Sequence, residues 1–124
     1  MMLRCLIVDD SPQFLTAARG LLEREGIAVV GVTSSGAEAL RRAEALRPDV
    51  MLLDIDLGGH SGLELARRLH HEASTARLRV ILISTHAEQD YADLIAASPA
   101  VGFLSKSTLS ARAIHALLAD RDGG

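Results

Sequence analysis

Four apolar runs in this chain end on polar groups. The run LIVDD closes on Asp9 and Asp10, VMLLDID on Asp54 and Asp56, VILIST on Ser84 and Thr85, and VGFLSK on Lys106. Runs of four or so apolar residues read as strands buried on both faces. In an open α/β sheet, sites form beyond the carboxyl ends of the strands. With the first and third strands as neighbours, three carboxylates converge. Converging carboxylates repel, and without help at least one takes up a proton. A divalent cation removes the conflict. Hard oxygen ligands favour Mg²⁺, which needs only one or two protein carboxylates and leaves room for a phosphate. Beside such a cation a carboxylate can act as the nucleophile in phosphoryl transfer, forming an acyl phosphate. Ser84 is placed to hydrogen-bond a phosphoryl oxygen. Lys106 is placed to pair with the carboxylate at rest and with the phosphoryl group after transfer.

Alternating elements position these groups. Strands are expected at Leu3–Val8, Ile27–Val32, Val50–Leu53, Val80–Ile83 and Val101–Leu104. Ser11-Pro12 opens a first helix, with Phe14, Ala17, Ala18, Leu21 and Leu22 on one stripe and Gly26 at its end. Ser35-Gly36 opens a second, with Ala39, Leu40, Ala43 and Leu46 inward and Pro48 marking the stop. Gly58, Gly59 and Gly62 read as a flexible loop. A third helix follows with Leu65, Ala66, Leu69 and Ala73. Tyr91, Leu94 and Ile95 mark a short fourth helix limited by Pro99, with Tyr91 read as helix packing. Leu109, Ala113, Ile114, Leu117 and Leu118 belong to the last helix. Such alternation implies a parallel sheet covered by helices on both faces. One domain is expected over residues 1–120, with 121–124 a short polar tail.

Composition narrows the function. The 124 residues carry a net charge of −3 and no basic block, so direct nucleic-acid binding by this chain is not expected. No apolar run approaches a membrane span, and the start lacks a signal-peptide layout, which suggests a cytoplasmic protein. Cys5, alone of its kind, lies inside the first strand and reads as a small core residue. Of thirteen basic side chains twelve are arginines, so Lys106 stands out.

In this light the sequence resembles a response regulator receiver domain, the chemotaxis-regulator-like module of two-component signalling. The resemblance covers about residues 3–120 and rests on LIVDD, MLLDIDLGGHSG, VILIST and GFLSK in order. It implies a flavodoxin-like, doubly wound five-stranded parallel sheet of order 2-1-3-4-5 with five helices. It implies that Asp54 accepts a phosphoryl group from a sensor histidine kinase or a phosphotransfer protein. Asp10 would ligate Mg²⁺ directly, Asp9 mostly through water, and Asp54 and the backbone carbonyl of Asp56 would complete the protein's share. Ser84 takes the hydroxyl switch position, Phe103 the aromatic one, Lys106 the lysine and Gly62 the loop glycine. The positions of Asp56 and His86 tune how fast the phosphoryl group is hydrolysed. Such a protein is a phosphoacceptor rather than an enzyme. It signals through the face formed by helix four, strand five and helix five, where two copies can also pair. The chain departs from the family at Gly58, where Pro is usual, at Pro99, near a usual glycine, and at Ser107. The last follows Lys106 where many members have a cis-Pro, and resembles the subfamily that often carries a helix-turn-helix output domain.

Two other functions fit parts of the pattern. Asp-x-Asp after a strand resembles haloacid-dehalogenase-type phosphatases, but here the pair follows the third strand and leaves Asp9-Asp10 unexplained. A binding module that no longer accepts phosphate would not need every site position filled. The remaining histidines, His60, His70, His71 and His115, show no metal-site spacing.

Overall fold

The computed structural model describes residues 2–57, 60–86 and 88–123. Its frame is one parallel sheet of five strands: β1 (Arg4–Val8), β2 (Ala28–Thr33), β3 (Val50–Asp54), β6 (Arg79–Ser84) and β7 (Gly102–Ser105). They lie in the order β2-β1-β3-β6-β7. Counting the strands of this sheet alone, that is the expected 2-1-3-4-5. The helices are α1 (Pro12–Arg24), α2 (Gly36–Leu46), α3 (Gly62–His71), α4 (Ala92–Ala96) and α5 (Ala111–Gly123).

Period-two alternation along the central strands sends side chains to two separate cores. Cys5 and Ile7 of β1, Val50 and Leu52 of β3, and Ile81 and Ile83 of β6 pack with Leu15, Ala18 and Leu22 of α1 and with Ile114 and Leu118 of α5. Leu6 and Val8, Met51 and Leu53, and Val80 and Leu82 face the other way. They pack with Ala39 and Ala43 of α2, and with Leu65, Ala66 and Leu69 of α3. All five residues of β3 are buried. Each fully buried Leu or Ile is worth about 1.5–3 kcal/mol relative to exposure, so the middle of the sheet is its firmest part. Burial also pushes the Cys5 thiol up to about 12, which keeps it an inert core group.

Several details differ from the sequence reading. In α1 the stripe centres on Leu15, Ala18 and Leu22, and Ala17 is exposed. Helix α3 ends at His71, so Ala73 lies beyond it. Gly58 and Gly59 lie outside the described residues, but their flanks are not irregular. Asp56–Leu57 (β4) and His60–Ser61 (β5) form a two-residue antiparallel ladder. Buried Leu57 anchors it in the second core, and Gly62 opens α3 directly behind it. Helix α5 runs through Gly123, into the stretch read as a tail, because Asp120, Arg121 and Asp122 contain no helix breaker.

Candidate functional site

Parallel strands bring their carboxyl ends to one edge. Val8 of β1 pairs with Leu53 of β3, Asp54 pairs with Ile83 of β6, and Ser84 pairs with Ser105 of β7. Asp9 therefore follows β1 beside Asp54, and Lys106 follows β7 one strand beyond Ser84. Asp9, Asp54 and Ser84 are buried, while Asp10 is exposed. One carboxylate oxygen from each of Asp9, Asp10 and Asp54 lies within 4.8 Å of the others.

Backbone amides and one cation hold the acids in place. Asp9 Oδ1 accepts from the Ser11 amide at 2.9 Å, at the entrance to α1, where the Ser11 hydroxyl caps the Phe14 amide. Asp54 Oδ1 accepts from the Asp56 amide at 3.1 Å. Lys106 Nζ stands 2.5 Å from Asp9 Oδ2 and 3.5 Å from Asp54 Oδ2. Asp9 Oδ2 is wholly enclosed and meets no aligned hydrogen-bond donor among the described residues, so its tie to Lys106 is a charge contact. The ammonium also lies 4.6 Å from the centroid of the Phe14 ring. This cation–π contact was not legible in the sequence, where Phe14 reads only as core.

Burial, and after it the charge of Asp9, push Asp54 up to about 6, against the opposing pull of the Asp56 amide and Lys106. For Lys106 burial works toward a lower value, but its contacts with the carboxylates of Asp9 and Asp54 outweigh it and hold the group above its usual range. The site is thus an over-full acid cluster with one neutralising cation. An enclosed carboxylate oxygen without an aligned donor, beside two more acids, is a hard-oxygen set that suits Mg²⁺.

Ser84 takes the last position of β6, and its Oγ accepts from the His86 amide at 3.0 Å. His86 Nδ1 lies 3.5 Å from Ser84 Oγ and 3.4 Å from the hydroxyl of Tyr91. The two rings meet edge to face, 6.0 Å between centroids. Phe103 is buried in the second core, with Tyr91 and Ile95 packed against the same cluster. The Asp56 side chain is exposed, and its backbone amide holds Asp54. Gly62 was placed by resemblance alone, and the structure gives its reason. A Cβ there would lie 2.1 Å from the backbone oxygen of Asp54.

Comparison with known proteins identifies this arrangement. The family model of the response regulator receiver domain matches residues 5–119. The chain belongs to the receiver family. The response regulator GacA of Pseudomonas viridiflava is 32% identical over 117 residues, 94% of this chain and 54% of that protein. The signal receiver domain of a Mycobacterium tuberculosis protein described as the response regulator NarL superposes with a TM-score of 0.81. It is 31% identical, with 99% of this chain and 98% of that one covered. A LuxR-family two-component response regulator from an Aurantimonas species gives a TM-score of 0.84 at 28% identity, covering 99% of this chain and 87% of that one. The receiver chain spans about half the length of the curated relatives it matches. Among its described residues no helix is long and apolar enough to cross a membrane.

Proposed function

We propose that this receiver is a phosphorylation switch in which Asp54 accepts a phosphoryl group from a sensor histidine kinase or a phosphotransfer protein. The observation that carries the reading is the enclosure of Asp54 between a second buried acid and a partly buried lysine at the sheet's carboxyl edge. An Asp54 oxygen attacks phosphorus, the bond to the donor imidazole breaks, and its electron pair stays on the donor nitrogen. Asp10, Asp54 and the backbone carbonyl of Asp56, with Asp9 acting through water, would hold Mg²⁺, which neutralises charge on the transferring group. Lys106 then exchanges its contact with Asp54 for one with the phosphoryl oxygens. Ser84, buried beside them, turns its hydroxyl inward, and Phe103 follows beneath the face of α4, β7 and α5.

That face is the proposed output, for a partner protein or a second copy. Helix α4 has five residues, none buried, and Leu94 on it is a half-exposed apolar side chain. A longer relative, EvgA of Escherichia coli, 28% identical over 121 residues with 58% of its length covered, is described as a DNA-binding transcriptional activator, and coupling to a DNA-binding domain is the corresponding proposal here. Asp56 and His86 flank the reaction centre and set the lifetime of the phosphorylated form.

The test separates switch from enzyme. Radiolabelled acetyl phosphate with Mg²⁺ gives at most one label per chain, removed by alkali as an acyl phosphate is. The same protein does not turn over p-nitrophenyl phosphate. Multiple turnovers of that ester would point to a phosphatase instead.

A further inference from the structure

We propose that His86 is a positioning residue that couples Ser84 to helix α4 by sharing its single Nδ1 between two hydroxyls. The inference rests on the reading of Ser84 as the hydroxyl that turns to the phosphoryl group, and deepens it.

The geometry is that of a shared partner. Nδ1 carries either one lone pair or one N–H, depending on the tautomer. Either way it serves one hydroxyl well or two poorly. Its distances to Ser84 Oγ and Tyr91 Oη are nearly equal and both long, 3.5 and 3.4 Å. The His86 amide already binds Ser84 Oγ at 3.0 Å, so the imidazole is held beside that hydroxyl. Tyr91 occupies the N-cap position of α4, which has no side-chain cap of its own. Its ring packs against the core cluster that contains Phe103. The hydroxyl of Tyr91 therefore ties the start of the output helix to the residue that holds Ser84.

Competition for one atom is coupling. When Ser84 turns to a phosphoryl oxygen it leaves Nδ1 wholly to Tyr91, and the His86–Tyr91 bond tightens. Conversely, removing the Tyr91 hydroxyl leaves Nδ1 wholly to Ser84 and holds that hydroxyl in its resting place. The two sites then bias one another reciprocally, as linkage requires.

The sequence supplies its own probe, because Tyr91 is the only tyrosine and there is no tryptophan. Tyrosine emission responds to a change in the hydrogen bond of its hydroxyl. The full chain is treated with acetyl phosphate and Mg²⁺, and its emission and initial labelling rate are followed. The variants are Tyr91→Phe, His86→Ala and both together, with Asp54→Asn as control. Emission should change on phosphorylation of the wild type and stay constant in His86→Ala, although that variant still takes the label. Tyr91→Phe should slow labelling about threefold, the scale of one modest hydrogen bond, and have no effect once His86 is Ala. An emission change that persists in His86→Ala, or the same Tyr91→Phe effect in both backgrounds, overturns the coupling alone. A wild type that never labels at Asp54 overturns the switch reading and the coupling with it.

Discussion

The Lys106 ammonium lies nearer to Asp9, at 2.5 Å, than to Asp54, at 3.5 Å. The resting lysine thus spends its charge on the acid that is fully enclosed, and Asp54 is left the more available of the two. Lys106→Met removes the charge that compensates Asp9 and, with it, the ammonium's contact with the Phe14 ring. Breaking a buried pair from one side leaves an uncompensated charge. Protonation of an acid relieves part of that cost. The variant should lose about 2 kcal/mol in urea unfolding near neutral pH, with a smaller loss in acid. Equal stability of the two proteins would show that Asp9 does not depend on Lys106.

Asp54 is a cost to the metal-free fold. Its value rises from an ordinary 3.8 to about 6, so the folded chain binds that proton more tightly than the unfolded chain. The stabilising contribution of protonated Asp54 is complete below about pH 4 and is lost as pH rises through about 6. Asp54→Asn should therefore be the more stable protein above that window, by about 1–2 kcal/mol near pH 7.5. The gain should shrink toward zero near pH 4. Thermal unfolding of both proteins in chelator, across that range, checks the sign. A variant less stable than wild type near pH 7.5 would refute the account of burial.

Mg²⁺ should offset the same cost by binding the folded state alone. At about ten times its dissociation constant it adds about 1.4 kcal/mol. Asp10 is the clean position for the control, since its exposed side chain lies within the acid cluster but outside the buried core. The rise in unfolding midpoint seen with wild type should vanish in Asp10→Ala, whose midpoint in chelator should stay near that of wild type. A rise that survives in Asp10→Ala would remove this acid from the proposed ion site.

Gly62 is fixed by space. A methyl group there would press on the Asp54 carbonyl oxygen at 2.1 Å, and that contact is backbone against backbone. Overpacking of this kind costs about 1–3 kcal/mol. Gly62→Ala should unfold at lower denaturant by that amount and label more slowly, because the shift falls on the backbone of Asp54 itself. Normal stability and normal labelling together would contradict this placement.

The sheet and its acidic edge were legible because local signals agreed with the tertiary answer. Each apolar run is a strand, each ends within a residue or two of the expected place, and the polar residue after it reaches the same edge. What depends on individual packing and side-chain contacts rather than on periodicity was not legible. The β4–β5 ladder spans only two residues on each side and hangs on the burial of Leu57. The preference of Lys106 for Asp9 runs against strand order, which sets Asp54 on the nearer strand, and no pattern around either residue signals it. Tyr91 read as packing, which its ring does, while its hydroxyl points to a histidine five positions earlier. Before Tyr91 the chain makes a 3₁₀ turn over Glu88–Asp90, where neither α-helical nor strand periodicity applies.

The most direct test of the central claim is the intact mass of the protein after brief treatment with acetyl phosphate, with and without Mg²⁺, beside Asp54→Asn. The account predicts one added phosphoryl group in the wild type with Mg²⁺, and none in the variant or in chelator. An adduct that persists in Asp54→Asn, or no adduct at any time point while wild type and variant behave alike, would contradict it.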